Sequence, residues 1–407
     1  MPHSRRSFLK GALGASIVAP FGGAMPSFLT RSATAAKKPD DGKTVLVVVQ
    51  LSGGNDGLNT VVPYADDEYA RSRPTLRLAS KDLHQIDSYI GFHPRMGAFK
   101  RLYEEGVLSV VQGVGSPNND GSHENAMRIW HTADTDNLVR DTGWLGRAVD
   151  NEWKPNTINA PAVFVGAIPR PFALNARNAI IPSVRSADDL ASAEMPQASE
   201  PPRAEASESL LSFVRQCRAG ACANSRRIEA AAKDAADAAE YPPFGLAGDL
   251  RTVAQLIRAD IGLRVFLVEL GGGGIGGFDN HANQLGNHCA LLHQLSESIA
   301  AFINDLKRDG ILDRVLLMTF SEFGRTLREN GRRGTDHGNA APVFLAGGKL
   351  RKGLVGTHPS LTDLDKGALK VDIDFRRVYA TVLDQWLGFE SRATLDKQYE
   401  PLDILAV

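Results

Sequence analysis

The sequence predicts an α/β fold with a mainly parallel sheet. Three observations predict it. Apolar, β-branched runs without alternation recur along the chain, as strands buried on both faces require. Helix-periodic segments separate these runs. Polar residues capable of chemistry sit at the ends of the runs, where open α/β sheets bind ligands.

The elements follow in order. Val45 to Val49 form the first buried run, ended by a glycine-rich loop, "SGGNDGLN". "HPRMGAFKRLYEEG" is a helix with Met96, Phe99, Leu102 and Tyr103 on its apolar side. "VLSVVQGVG" is the next strand and "SHENAMRIWHTA" the next helix. "APAVFVGA" and "RVFLVELG" are strands. "HCALLHQLSESIAAFINDLKRDG" is a long amphipathic helix with a glycine stop. "RVLLMTFSEFG" and "APVFLAGG" are strands, and "DFRRVYATVLDQWLG" is a closing helix. The stretch from Ser183 to Tyr241 is rich in Ala, Ser, Glu, Arg and Pro and has no strand-like run, so it is expected to be a helical insertion or cap. The other reading of its composition is a solvated linker.

The chain has 407 residues, 43% of them hydrophobic and 23% charged, an ordinary globular balance. A net charge of −1 gives no basic field for nucleic acid or an anionic membrane. The N-terminus carries Arg5-Arg6, a modest apolar stretch and Ala33-Thr34-Ala35. That is the pattern of a twin-arginine secretion signal over residues 1–35, cleaved before a domain spanning 36–407. Pro20, Gly22, Gly23 and Pro26 interrupt the apolar stretch, so a stable membrane span is not expected. The expected location is the periplasm or beyond, and the expected export partner is the twin-arginine translocase. Cys217, Cys222 and Cys289 are too few for a disulfide framework, although an exported compartment permits the first two to pair.

Each strand end offers a candidate and a plainer alternative. Asp56 is a possible carboxylate ligand or part of an Asx-type turn. Ser122 starts a helix, either as its N-cap or as a nucleophile at the positive end of the helix dipole. His123 beside it can ligate a metal or donate a proton. Asp279 caps a helix or, with His281 two residues on, supplies a carboxylate and an imidazole as zinc requires. His288 and His293 follow on the helix as surface or packing residues. Glu322 can ligate and Arg325 can hold an anion bidentately, or the two form a surface ion pair. Asp336-His337, in "GTDHGNAAPVFLAGG", is either a site or a hydrophilic turn.

Together "LSGGNDGLNTVVPY", "GSHENA", "GFDNHANQ", "SEFGRT" and "GTDHGNAAPVFLAGG" resemble the twin-arginine-exported bacterial family DUF1501, over residues 44 to 390. That family is related to the alkaline phosphatase and sulfatase superfamily. The resemblance implies an alkaline-phosphatase-like three-layer α/β/α sandwich with a divalent metal centre, zinc by preference, of one or two ions. It implies Asp56 as an early metal ligand and Ser122 as nucleophile. Asp279, His281, Glu322 and His337 are the further implied ligands. Asp279 and His281 are two apart where the superfamily usually has four, and Phe323 follows Glu322 where a histidine is usual. One ligand is therefore missing, with Asp336 or His123 as the substitute.

The function these residues suggest is metal-dependent hydrolysis of an anionic phosphate or sulfate ester. Ser122 would attack, and Arg325 with the helix N-terminus would stabilise the transition state. The alternative is a non-catalytic secreted binding protein on the same scaffold with a degenerate metal site. A metal-free serine esterase is a weaker third reading, because no G-x-S-x-G elbow is present.

Overall fold

Val45–Leu51 (β1) is buried at every position and lies inside the main sheet, with parallel neighbours on both sides. Its side chains alternate between two cores. Val45, Val47 and Val49 join one core, and Leu46 and Val48 join the other. This is why the run shows no alternation of polarity: both faces are covered. Burying each such side chain contributes roughly 1.5–3 kcal/mol.

This computed structural model describes residues 44–117, 119–152, 161–179, 181–186, 240–272, 277–351 and 353–406. In chain order the elements after β1 are α1 (Asp67–Ser72), α2 (Gly97–Glu104), β2 (Leu108–Gly115), α3 (His123–Thr132) and α4 (Trp144–Glu152). Then come β3 (Ala162–Val165), β4 (Ser183–Val184), α5 (Gly245–Ala259), β5 (Val265–Leu270) and α6 (Gln284–Arg308). The last are β6 (Val315–Ser321), β7 (Arg325–Glu329), β8 (Thr335–His337), β9 (Ala341–Gly347), β10 (Gly353–Val355), β11 (Ile373–Asp374) and α7 (Phe375–Ala380).

The main sheet runs β10-β2-β9-β6-β1-β5-β3-β4, with β11 also paired to β2. All pairings are parallel except those of β9, which is antiparallel to β2 and β6. Helices α2, α5 and α6 cover one face through Phe99, Leu250, Leu295 and Phe302. Helices α3, α4 and α7 cover the other through Trp130, Trp144 and Tyr379. The Trp144 and Tyr379 rings stack with centroids 3.9 Å apart. The architecture is therefore a three-layer α/β/α sandwich with a largely parallel sheet, the fold class expected from the sequence.

At the approximate start of the expected insertion, Ser183–Val184 form the edge strand β4, paired to Phe164 and Val165. The rest of the expected insertion, residues 187–239, lies outside the described residues, as do the secretion signal, Cys217 and Cys222. The closing helix is regular only to Ala380 and widens to an i→i+5 turn over Thr381–Leu387. Cys289 is a free, half-buried thiol. Among the described residues no helix is long and apolar enough to cross a membrane.

Candidate metal centre

The carboxyl ends of β1, β2, β5 and β6 lie along one edge of the sheet, and β9 begins at that same edge because it runs the other way. Ala341, the first residue of β9, pairs with Val114 near the end of β2. His337 precedes β9 in sequence, yet it reaches the place where the other candidates follow their strands.

Asp279 is the meeting point. Its Oδ1 lies 3.0 Å from His281 Nε2 and 3.1 Å from His337 Nε2. Its Oδ2 lies 3.4 Å from His123 Nε2. The His281 and His337 Nε2 atoms are 2.9 Å apart. His123, Asp279 and His337 each offer a ligand atom, all within 4.8 Å of one another. His281 touches two of these three.

The second nitrogen of each ring sets its tautomer. His337 Nδ1 lies 2.6 Å from the Gly121 carbonyl oxygen, which can only accept, so Nδ1 carries the proton. His123 Nδ1 lies 3.0 Å from Glu322 Oε1, and His281 Nδ1 lies 3.3 Å from Asp336 Oδ1. His337 therefore turns a bare Nε2 lone pair toward the Asp279 carboxylate, and the Nε2 atoms of His123 and His281 face the same group. Arg325 donates to Asp279 Oδ1 from behind at 2.7 Å, and the imidazole nitrogens and carboxylate that meet in front of it form a donor set that a cation would take. Oxygen acceptors behind each histidine are the usual outer partners of metal-bound imidazole. Donors at zinc distance stand about 3.3 Å apart along a tetrahedral edge. The residues present fit a zinc-type ion.

The centre is firmly supported. Burial opposes the charge on Asp279, but the Arg325 hydrogen bond and charge hold its carboxyl at about 2. Burial pushes His337 down, while the Glu322 hydrogen bond raises His123. Glu322 is 3% exposed and also accepts from the Gly53 amide at 2.7 Å. Gly53 has φ +112°, and a Cβ there would lie 2.5 Å from the Asp279 amide nitrogen. Phe323 packs its ring against His337 and His123, with centroids 4.4 and 5.0 Å away.

Three expected roles come out differently or only in part. Arg325 is 2% exposed and does not face an anion site. Its guanidinium donates to the carbonyls of Gly53, Gly54, Phe278 and Thr335, and to Asp279 Oδ1 at 2.7 Å. It is a clamp behind the centre, and no surface ion pair with Glu322 forms. Asp56 does not join the metal group. Both of its oxygens receive the Arg73 guanidinium, at 2.5 and 2.8 Å, and Gln284 donates to it as well. Both charges are buried against each other, so the Asp56 carboxylate is committed to Arg73 and stands outside the donors that meet at Asp279. Ser122 caps α3, accepting from Asn125 N at a long 3.4 Å, and stays half-buried beside His123.

Asp336 is the most open of the candidates, with 63% of its side chain exposed. His288 is buried and bonds Asn55 Oδ1 at 3.0 Å. Sequence reasoning missed Arg73, Gln284 and Asn330. Gln284 joins Asp56 to Thr335, and Asn330 joins the His281 carbonyl to Asp336. Only the polar character of these residues was available as a signal.

The family model described as "Protein of unknown function (DUF1501)" matches residues 43–397. The chain belongs to DUF1501. No curated protein matches the sequence. The DUF1501 chain is similar to the PsFucS1 sulfatase from Pseudoalteromonas sp., at 10% identity and TM-score 0.40, covering 95% of this chain and 75% of that one. It is also similar to the lipoteichoic acid synthase LtaP from Listeria monocytogenes, at 10% identity and TM-score 0.39, covering 86% and 80%. A third is the periplasmic domain of EcEptC from Escherichia coli, in complex with zinc, at 9% identity and TM-score 0.37, covering 76% and 74%.

Proposed function

We propose that this protein is an exported, metal-dependent hydrolase of phosphate or sulfate esters, with one zinc-type ion and Ser122 as nucleophile. The observation that carries the reading is the convergence of His123, His281 and His337 on Asp279, with His123 next in the chain to Ser122, a half-buried serine at a helix start. An imidazole-rich set with one carboxylate favours zinc over magnesium or calcium. One ion is proposed because both Asp56 oxygens are taken by Arg73. Export by the twin-arginine route rests on Arg5-Arg6 and Ala33-Thr34-Ala35.

When bound, the ion supplies Lewis acidity toward the ester and lowers the pKa of a hydroxyl held beside it. Asp279, His123, His281 and His337 hold it. Glu322 and the Gly121 carbonyl keep His123 and His337 in the ligating tautomer. The Ser122 oxygen would form the new bond to phosphorus or sulfur, its proton passing through solvent to the ester oxygen that leaves with the electron pair of the broken bond. Water would then attack the seryl ester to release phosphate or sulfate and restore the hydroxyl. The free amides of the α3 N-terminus stabilise the anionic centre.

The test is elemental analysis of the exported protein, with turnover of aryl phosphate and aryl sulfate. Wild type should carry metal and turn over one ester class. Ser122→Ala should keep metal and lose turnover, and Asp279→Ala should lose both. Activity that survives both substitutions sinks the reading. Bound metal without turnover on any ester supports the alternative, a non-catalytic binding protein. The occupation of Asp56 by Arg73 is the observation that favours that alternative.

A further inference from the structure

The turn joining β7 to β8 is built into the metal centre. Asn330 Nδ2 donates to the His281 carbonyl at 3.0 Å and to Asp336 Oδ1 at 3.1 Å. Asn330 Oδ1 accepts from the amides of Arg332 and Gly334, at 2.9 and 3.2 Å. The carbonyls of Arg332 and Arg333 accept from Asn283 N, just before α6, and Gln284 N, its first amide, at 3.0 and 2.9 Å. Gly334 packs so closely on His281 that a Cβ would overlap its carbonyl carbon. The backbone that carries Arg332 and Arg333 is therefore tied to the residues that hold His281 and Asp336.

The two side chains are treated differently. Both are exposed, and the Asn330 and His281 hydrogen bonds, with the Arg332 charge added, hold the Asp336 carboxyl low. Glu329, the nearby acid in the same segment, does not neutralise them. Its carboxylate is held by the amides of Thr75 and Leu76, at 2.8 to 3.1 Å, and by the Thr75 hydroxyl. Arg333 also sits at φ 57°, where a non-glycine residue costs about 1 kcal/mol or more. A fixed turn thus carries two exposed guanidinium groups on a backbone tied to the residues that hold His281 and Asp336. Arg325 cannot meet an anion in their place, because its donors all point at carbonyls and Asp279.

We infer that Arg332 and Arg333 receive a second anionic group of the substrate, outside the ester that is broken. The substrate class is then a polyanionic ester: a phosphate or sulfate ester that bears a further phosphate, sulfate or carboxylate. This rests on the ester-hydrolase reading above. A planar guanidinium fork matches such oxyanions and discriminates against a substrate that lacks one.

The test uses binding, so it does not depend on turnover. Zinc-loaded protein is titrated calorimetrically with alkyl monophosphonates and with diphosphonates on short alkylene spacers. Neither probe is hydrolysable. The wild type should bind at least one diphosphonate about tenfold or more tighter than its matched monophosphonate. Arg332→Gln/Arg333→Gln should lose that advantage and leave monophosphonate binding and thermal stability unchanged. Arg332→Lys/Arg333→Lys should restore part of it. Monophosphonate binding with no diphosphonate advantage, or an advantage that survives the Gln variant, overturns this inference and leaves the hydrolase reading standing. Absence of binding by either probe overturns both.

Discussion

The Nε2 atoms of His281 and His337 lie 2.9 Å apart. The His337 proton is fixed on the other nitrogen by the Gly121 carbonyl. The His337 lone pair faces both the His281 nitrogen and the Asp279 oxygen across that gap. A cation would be held by all three at once.

Metal content is the first consequence. Wild-type protein is expected to hold about one ion per chain, and His337→Ala none, by elemental analysis after dialysis. Glu322→Gln keeps the fold of the site but weakens the acceptor behind His123, so metal affinity should fall about 10–100-fold. A metal-free wild type would contradict the first expectation, and unchanged affinity the second.

Arg325 should behave as a structural clamp. Arg325→Lys keeps a charge but loses the fork that serves four carbonyls and Asp279. The loss should be about 3 kcal/mol or more in urea unfolding, since each buried group left unpaired costs about 1–3 kcal/mol. An anion-binding role would instead raise KM and leave stability intact.

Asp56 separates a ligand from a buried ion pair. Asp56→Ala strands the Arg73 charge and should cost about 3–5 kcal/mol. Adding Arg73→Met should recover most of that loss, with metal content unchanged in the double variant. Metal lost from the double variant would restore Asp56 as a ligand.

Acid should unfold the metal-free protein early. Burial holds His131 and His93 neutral, with pKa about 3, and His288 at about 4. In the unfolded chain each returns to about 6.5. The unfolded state binds more protons between these values. Stability is therefore full above pH 6.5 and falls through the window from about 6.5 down to 3–4. At pH 5 each histidine should have removed about 2 kcal/mol. Urea unfolding at pH 7 and pH 5 reads the difference, and His288→Gln should shrink it by about a third. Equal stability at the two values would refute the account.

Much of this was legible in the chain. The strands at Val45, Leu108, Val265 and Val315 announce themselves because burial on both faces leaves a continuous apolar run. His337 was legible only by its place before "APVFLAGG", since a rule about residues after strands misses one that precedes an antiparallel strand. Arg325 resembled an anion clamp because its spacing says nothing of the carbonyls it meets at Gly53 and Phe278.

The sequence by itself determined the sheet, its two covered faces and the set of metal-capable residues flanking it. These follow from local periodicity, which a single segment carries. Only the tertiary structure decided which donors share one point. That depends on strand register and direction across residues 123 to 337, and on carbonyl and carboxylate partners that choose each imidazole's tautomer. It also placed Arg73 against Asp56, turning an apparent ligand into a buried ion pair. A carboxylate looks the same in sequence whether a metal or a guanidinium faces it.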